Sequence, residues 1–474
     1  MIILLALVFF GVLGWYVFYL LTDFRRAILA GVIFTSLSVF AVPWHIFPFW
    51  GIHAALKLGF IGVAFLCFFG RGSFEQVKPY VLSHYNIALW ALWLLLFGYL
   101  MLAPDSEYGL MKAVRFFDKC ILPVLAILVL APFDRKDLAV ILNTLIVAGI
   151  LMTLSYLSFG NVFLQRATVG DFTGPITIGR IIGMGAAAAL VIFLTKSNKK
   201  NITTLLYVLG FLALSFALLM VGSRGPVMGL AVTLVAVLLV VQLGVKDRTI
   251  TIASFAFIVF VPVASLFFIG ADFQILRLGG FDRVVSSLGS IGEHRNDMVR
   301  IEMYGTAWRG FLGTAGLGSG TGSFSDLHFA DYPHNIVMEL AYEQGIPGLS
   351  ILGFILVSTL LRVRKVVVGS GLDEYGKALF GLWVFAFLNA SVSFDVTENY
   401  IFWISTALLW CATETTGKTA KVPGPRPMRQ AAGLRPFPGR PMMPPPPRHM
   451  PSHPMPPPYR VPPPPGRFGV PNPR

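Results

Sequence analysis

Three arginines lie close to the ends of apolar segments, where a fixed positive charge can bind an anion. They are Arg180, Arg224 and Arg300, and Arg224 belongs to a tight Gly-Ser-Arg-Gly-Pro run at residues 222–226. A guanidinium offers several donors in a rigid fork that matches phosphate oxygens, and this pairing is stronger in a partly dehydrated site than in water. Converging arginines would therefore clamp a lipid-linked phosphate or pyrophosphate. The alternative is that each arginine only extends to lipid headgroups.

A histidine, His334, lies at the predicted start of a helix that runs toward Gly345. Imidazole exchanges protons near neutral pH, and a helix N-terminus favours its neutral form, which a general base requires. Glu339 and Glu343 are four residues apart and share a helix face, so they can orient a substrate or pair with an arginine. A histidine beside a membrane helix is also commonly a capping or interfacial residue. Chemistry alone leaves both roles open.

Two further segments precede this histidine. Between residues 294 and 311 the apolar side chains recur at three- and four-residue steps, which predicts a helix lying on a surface, with Arg300 beside Tyr304. Those side chains are Met298, Ile301, Tyr304, Trp308 and Phe311. The glycine run 316–322 follows no apolar strand, which argues against a dinucleotide-binding loop. We expect its backbone to approach a substrate or to pack closely, with a simple turn as the alternative.

The chain that positions these residues is strongly apolar. Its 474 residues are 55% hydrophobic and 13% charged, with a mean hydropathy of +0.73, which excludes a water-soluble domain of this length. A helix needs roughly 20 apolar residues to cross the hydrocarbon layer, and no water is available there for backbone groups. We therefore predict an all-α, polytopic membrane protein of about 12–13 transmembrane helices. The apolar windows run approximately over residues 1–21, 27–50, 54–69, 87–103, 120–132, 138–159, 181–195, 202–221, 227–243, 250–269, 346–361, 378–390 and 401–411.

The orientation follows from the lysines and arginines of the loops, which resist translocation. They concentrate in the odd-numbered loops, which are therefore predicted to be cytoplasmic, whereas the three arginines above share the outer side. In the fourth loop Lys112 and Lys119 are opposed by acidic neighbours of the same loop, and the twelfth loop is acidic around Asp395 and Glu398. The first window lacks the charge pattern of a signal peptide, so we expect a retained span with the N-terminus outside and the C-terminus inside.

The chain divides into three predicted regions. Residues 1–201 are N-terminal transmembrane helices, residues 202–413 form a core that includes a large outer loop at 271–333, and residues 414–474 are a disordered, proline-rich, basic cytoplasmic tail. The net charge is +14, but ten of the basic residues lie in 418–474, where no Asp or Glu occurs. The excess charge belongs to this tail and no groove-reading motif is present, so no nucleic-acid partner is expected. The tail either stays near anionic lipid or docks on a cytoplasmic partner that reads proline-rich segments.

Neither the cysteines nor the histidines predict a metal site. Cys67, Cys120 and Cys411 fall in apolar segments without ligand spacing, so we interpret them as packing residues. His294 and His328 have no regular ligand spacing with His334. We expect no metal and no cofactor.

Taken together, several short motifs resemble the shared core of the bacterial O-antigen ligase and polysaccharide polymerase family. They occur in the family's order over about residues 202–361, and their combination is more specific than any single piece. The motifs are Gly222-Ser-Arg-Gly225, Arg300, Trp308, Gly316-Leu-Gly-Ser-Gly320, His334-Asn335 and Glu343-Gln-Gly-Ile-Pro-Gly348. The chain departs from the family where members often carry a proline just before the glycine run, and the proline-rich tail lies outside the family core.

The resemblance implies a C-type, all-helical glycosyltransferase at the outer, periplasmic face of the bacterial inner membrane. Its donor would be a glycan on undecaprenyl pyrophosphate, and its acceptor a hydroxyl of lipid A core or of another glycan. The resemblance assigns donor pyrophosphate binding to Arg224 and Arg300, with Arg180 as a looser match, and activation of the acceptor to His334. Asn335 and Glu343 belong to the matched motifs and are candidate substrate-binding residues. Transfer would be metal-independent and inverting at the anomeric carbon.

Other functions remain open at this level. A ligase and a polymerase of this family differ only in the acceptor, and the sequence does not separate them. A flippase or exporter could use the same arginines to recognise phosphate headgroups, but it should carry charges along a path through its spans, which contain few, mainly Lys57. A scaffold acting through its tail is the remaining alternative.

Overall fold

The computed structural model describes residues 2–37, 50–70, 74–103, 107–159, 174–195, 202–242, 295–327, 330–369 and 374–419. Within these ranges the chain forms helices joined by turns, and no strand occurs. This confirms the all-α class. The predicted window at 250–269, the first part of the predicted outer loop and almost the whole predicted tail lie outside the described residues.

The helices follow the apolar windows closely, because each window is long enough to satisfy its backbone groups internally. We number the α-helices α1 Ile2–Thr22, α2 Phe24–Ser36, α3 Trp50–Gly70, α4 Phe74–Val81, α5 His84–Gly98, α6 Glu107–Phe116, α7 Leu122–Leu130, α8 Arg135–Phe159, α9 Pro175–Thr195, α10 Ile202–Val221, α11 Arg224–Gln242, α12 Arg295–Gly313, α13 Phe324–Leu327, α14 Ile336–Gly369, α15 Glu374–Ala390 and α16 Tyr400–Thr419. A 3₁₀ turn, Tyr99–Leu102, extends α5, and a π turn, Phe117–Ile121, joins α6 to α7.

Several of these helices can cross a membrane. By length and composition, five of the described helices qualify: His84–Leu102, Arg135–Ser158, Pro175–Leu194, Ile202–Val221 and Ile336–Val366. Shorter apolar helices occur at Phe10–Thr22, Ala54–Gly70 and Arg224–Leu238. The polytopic membrane class is therefore confirmed, while the number of 12–13 spans and the domain boundaries stay predictions.

Helix α9 lies at the centre of the bundle, because small residues let its neighbours approach closely. Four of its residues in succession, 186–189, are buried alanines. A Cβ atom on Gly185 would lie 3.0 Å from the carbonyl oxygen of Leu145 in α8, and one on Gly183 would lie 2.5 Å from the ring of Phe385 in α15. Arg180, near the start of α9, is thereby carried into the interior of the protein.

Loops that the charge pattern places on one side contact each other. Arg25 of the first loop pairs with Asp137 near the fifth loop at 2.5 Å, and the Arg135 guanidinium lies 5.6 Å from the ring centre of Tyr375, beside the eleventh loop. The fourth, sixth, eighth and twelfth loops meet one another in the site described below. The two sets correspond to the odd and even loops, and which of them faces the cytoplasm stays a prediction.

Candidate active site

The helix after His334 is broken at Gly345. Gly345 has φ 63° and ψ −149°, and Pro347 follows it without an N–H group, so the Glu343 carbonyl loses its usual helical donor. The glycine run supplies a replacement, because the Gly320 N–H donates to this carbonyl at 3.0 Å. In return, the Ile346 N–H donates to a carbonyl of the run at 2.7 Å. The break therefore divides α14 into a short first segment that follows His334 and a longer second segment. Both belong to Ile336–Val366, which is long and apolar enough to cross a membrane.

The glycine run packs closely against this break. A Cβ atom on Gly345 would lie 2.2 Å from the Gly316 carbonyl oxygen, and one on Gly318 would lie 2.6 Å from the Glu343 carbonyl oxygen. Both Gly316 and Gly318 have positive φ, which glycine adopts without steric cost. Of the two uses predicted for the run, the described contacts correspond to close packing.

The loop before α14 presents His334 in a strained conformation. Asn335 caps the helix, because its side-chain oxygen accepts from the Val337 N–H at 2.9 Å and from the Met338 N–H at 3.2 Å. His334 immediately before it has φ 58°, in the left-handed region that non-glycine residues seldom occupy. The Tyr332 ring packs edge-on against the imidazole, with 4.6 Å between ring centres. Strain of this kind is concentrated at functional sites.

The surroundings of His334 keep its imidazole neutral. Burial and the positive charge of Arg300 lower its pKa to about 4, and Arg180 acts in the same direction. Asp395 and Asp331 act in the opposite direction without compensating. The buried Nδ1 atom has no hydrogen-bond partner within the described ranges. At neutral pH the side chain is therefore an uncharged imidazole that can accept a proton.

Arg300 lies on helix α12, and its positive charge acts on His334 in the loop before α14. The predicted helix over this segment is confirmed, and Arg300 acts electrostatically on both Tyr304 and His334. The helix is held in place by buried Met303 and Ala307, which pack in one cluster with Phe324 and Tyr342. Arg300 is consequently fixed relative to the first segment of α14.

Arg180 is buried, and its Nη2 is engaged by the segment 389–399 between α15 and α16, whereas its Nε has no hydrogen-bond partner among the described residues. Its Nη2 donates to the carbonyls of Asn389 at 2.7 Å and Ser393 at 3.0 Å, and to the Asn399 side-chain oxygen at 2.8 Å. Its guanidinium also lies 4.6 Å from the ring centre of Phe394. A contact between the Arg180 Nη2 and a substrate would require some of these bonds to open.

Arg224 is the first residue of α11 and lies against the same segment 389–399. Gly222, with φ 70°, ends the preceding helix and turns the chain. A Cβ atom on Gly225 would lie 3.3 Å from the Val392 side chain, so the turn touches this segment directly. The N-terminus of α11 adds a partial positive charge and exposed N–H groups, which favours an anion beside Arg224.

A buried ion cluster joins α6 to the first segment of α14. Lys112 of α6 contacts Glu339 at 2.8 Å and Glu343 at 2.5 Å, and all three side chains are fully buried. Burial lowers the pKa of Lys112, but the two carboxylates outweigh it and the net shift is upward. In the sequence the charges of Lys112, Arg115 and Lys119 are balanced by Asp105, Glu107 and Asp118 of the same loop, but in the structure Lys119 pairs with Glu398 of the twelfth loop. Both lysines instead join the fourth loop to distant parts of the chain, which the sequence pattern does not reveal.

Sequence reasoning missed Lys112, Tyr108 and Asp395 as members of this site. The buried Asp395 carboxylate accepts from the Tyr108 hydroxyl at 3.1 Å and from the Glu398 N–H at 2.7 Å. A usable signal existed, since Lys112 is a cation on the predicted translocated side, like the three arginines, and the twelfth loop supplies acids on that side. Glu343 pairs with Lys112, and its predicted contact with a substrate stays a prediction.

The described residues contain no group of three or more His, Cys, Asp or Glu that could hold a metal ion. Cys120 and Cys411 are buried and unpaired by disulfides, in agreement with packing roles. A neutral imidazole can take a proton, while nearby arginines can hold an anion.

Fold and site together define a multi-pass, all-α membrane protein in which the charges of Arg300 and Arg180 act on the imidazole of His334. The family described as O-antigen ligase matches residues 209–353. This match confirms the resemblance found in the sequence and supports an O-antigen ligase-family protein. It contains Arg224, Arg300 and His334, whereas Arg180 and Lys112 lie outside it. A comparison with curated proteins found no match.

Proposed function

We propose that this protein is a periplasm-facing glycosyltransferase that moves a glycan from undecaprenyl pyrophosphate to a hydroxyl acceptor. The observation that carries the proposal is the state of His334. Its imidazole is neutral under the charge of Arg300 and has a buried nitrogen without a hydrogen-bond partner among the described residues. Its backbone is strained. The match to the O-antigen ligase family supports the reaction type. The periplasmic location rests on the loop charges, which place this set of loops outside.

In this reaction His334 takes the proton of the acceptor hydroxyl. The hydroxyl oxygen then attacks the anomeric carbon from the face opposite the leaving group, so the configuration inverts. The bond between that carbon and the pyrophosphate oxygen breaks, and its electron pair stays on the lipid pyrophosphate. Arg224 and Arg300 bind the pyrophosphate and stabilise its growing charge.

Donor binding would also strengthen the base. Arg300 is one of the charges that lower the pKa of His334, and a pyrophosphate bound to Arg300 would offset that charge. The pKa of His334 should rise toward neutrality only when donor is present. The imidazole thus becomes a better proton acceptor in the complex that needs it.

The other predicted site residues receive supporting roles. Asn335 caps α14, Glu343 pairs with Lys112 and Arg180 holds the segment 389–399. We assign all three to positioning the groups that touch the substrate. Their loss should reduce activity by displacing His334, Arg300 or Arg224.

The test uses the purified full chain in proteoliposomes, supplied with a polyprenyl-pyrophosphate-linked glycan and candidate acceptors. Asn tolerates the left-handed conformation, so His334→Asn removes the base while keeping the backbone. We expect a loss of about a hundredfold or more in transfer rate. A normal rate in His334→Asn would refute the role of the histidine. Lipid-linked glycan that crosses the bilayer without turnover would instead identify a flippase.

The arginine assignment has a matched control on the same helix. Arg300→Gln and Arg224→Gln should each lower transfer by about a hundredfold. Arg309→Gln should leave it unchanged, because Arg309 is exposed and its side chain donates to neighbouring Thr306. Equal losses in Arg300→Gln and Arg309→Gln would argue against a specific pyrophosphate contact.

The acceptor decides between ligase and polymerase. A deletion strain of a ligase should accumulate full-length lipid-linked polymer, and one of a polymerase should accumulate single repeat units.

A further inference from the structure

Helix α12 exposes an apolar strip that the proposed reaction does not use. Ile301, Trp308 and Leu312 are 57%, 48% and 58% exposed, and Met298 continues the strip by one turn. At about 100° per residue, these four side chains share one edge of the exposed side. Glu302 and Arg309 occupy the other edge and are also exposed. The exposed side is thus divided lengthwise into an apolar and a polar half.

The opposite side of α12 is fixed to the protein. Met303 and Ala307 are buried against Phe324 and Tyr342, as described above. A Cβ atom on Gly310 would lie 2.2 Å from the Tyr342 ring, so the helix approaches α14 closely at this point. The orientation of the apolar strip is therefore set by packing on the other side.

The strip is continuous with the exposed ends of two membrane spans. A Cβ atom on Gly316 would contact Ile346, at 2.8 Å, and Phe311, at 3.4 Å, so the end of α12 adjoins the membrane-spanning part of α14. Exposed Leu317 comes next, and its carbonyl accepts from the Tyr99 hydroxyl at 2.9 Å. Tyr99 belongs to the span His84–Leu102, whose last turn exposes Met101. Apolar surface thus runs from both spans onto α12.

We propose that α12 lies in the membrane surface, with Met298, Ile301, Trp308 and Leu312 in the apolar layer of the lipid and with Glu302 and Arg309 in water. A helix whose exposed side is half apolar and half charged satisfies both halves only at such a boundary. Tryptophan favours this depth because its ring is apolar and its N–H is polar. The arrangement holds Arg300 at the level of lipid phosphate groups, where a phosphate-bearing lipid presents its headgroup. This lipid contact is independent of the proposed transfer reaction.

Site-directed spin labels on the full chain in phospholipid vesicles test the proposal. Ile301→Cys and Trp308→Cys probe the apolar edge, and Glu302→Cys and Arg309→Cys are the matched controls on the polar edge. The unaltered chain reports the background from Cys67, since Cys120 and Cys411 are buried. Oxygen concentrates in the lipid and a water-soluble nickel complex stays outside it, so their effects on the label report depth.

We expect labels at 301 and 308 to be several times more accessible to oxygen than to nickel, and labels at 302 and 309 to show the reverse. Equal nickel accessibility at all four positions would overturn the proposal by placing the strip in water. Labels at 301 and 308 that neither reagent reaches would also overturn it, by indicating a protein partner or a second copy of the chain. Trp308 supplies a second measurement without labels. Bromine on the lipid acyl chains should quench the unaltered chain more than Trp308→Phe, and equal quenching would contradict the lipid contact.

Discussion

At the scale of single residues, the site depends on how its charges are surrounded. His334 is held neutral by burial and by Arg300, in a backbone conformation that only its neighbours maintain. Two glutamates close to it in sequence share one lysine more than 200 residues away in the chain, which contacts them at 2.8 and 2.5 Å. Each arrangement gives a prediction that a titration or an unfolding measurement can check.

The pH dependence of transfer should report the lowered pKa of His334. A base works in its neutral form, so kcat/KM should stay constant through neutral pH and fall only as the pH drops toward about 4, the pKa in the free protein. The acid limb of kcat should lie at higher pH, because bound pyrophosphate offsets Arg300. Arg300→Gln should move the limb of kcat/KM upward. An inflection of wild-type kcat/KM near 6.5, the ordinary value for histidine, would contradict this description.

Removal of Lys112 should destabilise the protein strongly. Lys112→Met leaves two carboxylates buried without their cation, and breaking a buried pair in this way costs about 3–5 kcal/mol. Lys119→Met is the control, because Lys119 and Glu398 are partly exposed and such pairs contribute about 1 kcal/mol or less. Denaturant unfolding in detergent measures both. Equal losses in the free energy of unfolding would show that the burial of Lys112 and its two glutamates does not determine the cost of removing the lysine.

At the scale of secondary structure, the decisive element is the broken helix α14. Its first segment carries the Asn335 cap and both buried glutamates, and its second segment supplies most of the candidate membrane span Ile336–Val366. The glycine run closes the gap in its hydrogen bonds. Because Gly345 and the run touch through backbone atoms, neither partner can accept a larger residue.

Substitutions at two glycines of α14 distinguish the role of the break from the general effect of a glycine in a helix. In Gly345→Ala the new Cβ atom would lie 2.2 Å from a carbonyl oxygen, and alanine would have to adopt the positive φ of residue 345. We therefore expect a loss of more than about 1 kcal/mol in the free energy of unfolding. Gly353→Ala meets open space on the same helix and should be neutral or stabilising by up to about 1 kcal/mol. Thermal unfolding of both variants provides the comparison. A similar loss in the free energy of unfolding of Gly353→Ala would contradict the specific role of the break at Gly345.

At the scale of the whole molecule, the segment 389–399 joins elements that are far apart in sequence. Arg180 of α9, Tyr108 of α6 and the Gly225 turn all contact it. It therefore joins the start of α9, helix α6 and the turn that carries Arg224. The second half of the match to the O-antigen ligase family contains His334, but this connecting segment lies beyond the match.

Arg180 should therefore act on the assembly of the site. Arg180→Met leaves the carbonyls of Asn389 and Ser393 without their donor, and each buried unpaired acceptor costs about 1–3 kcal/mol. Arg180→Lys should recover little, since an ammonium cannot reproduce the planar fork. The free energy of unfolding and the transfer rate should fall together in both variants. Full stability combined with lost donor binding would show instead that Arg180 contacts the donor directly.

The sequence by itself determined the membrane class, the helical windows, the candidate histidine and arginines, and the family resemblance. These depend on local properties: the length of apolar runs against bilayer thickness, the helical period, and short motifs. Only the tertiary structure decided that Lys112 contacts both Glu339 and Glu343, that Arg180 binds the segment 389–399, and that the apolar strip of α12 faces outward. Such partners are separated by many residues, and their pairing depends on which helix faces pack together. No local pattern encodes that choice, because any buried charge requires a partner but does not specify which one.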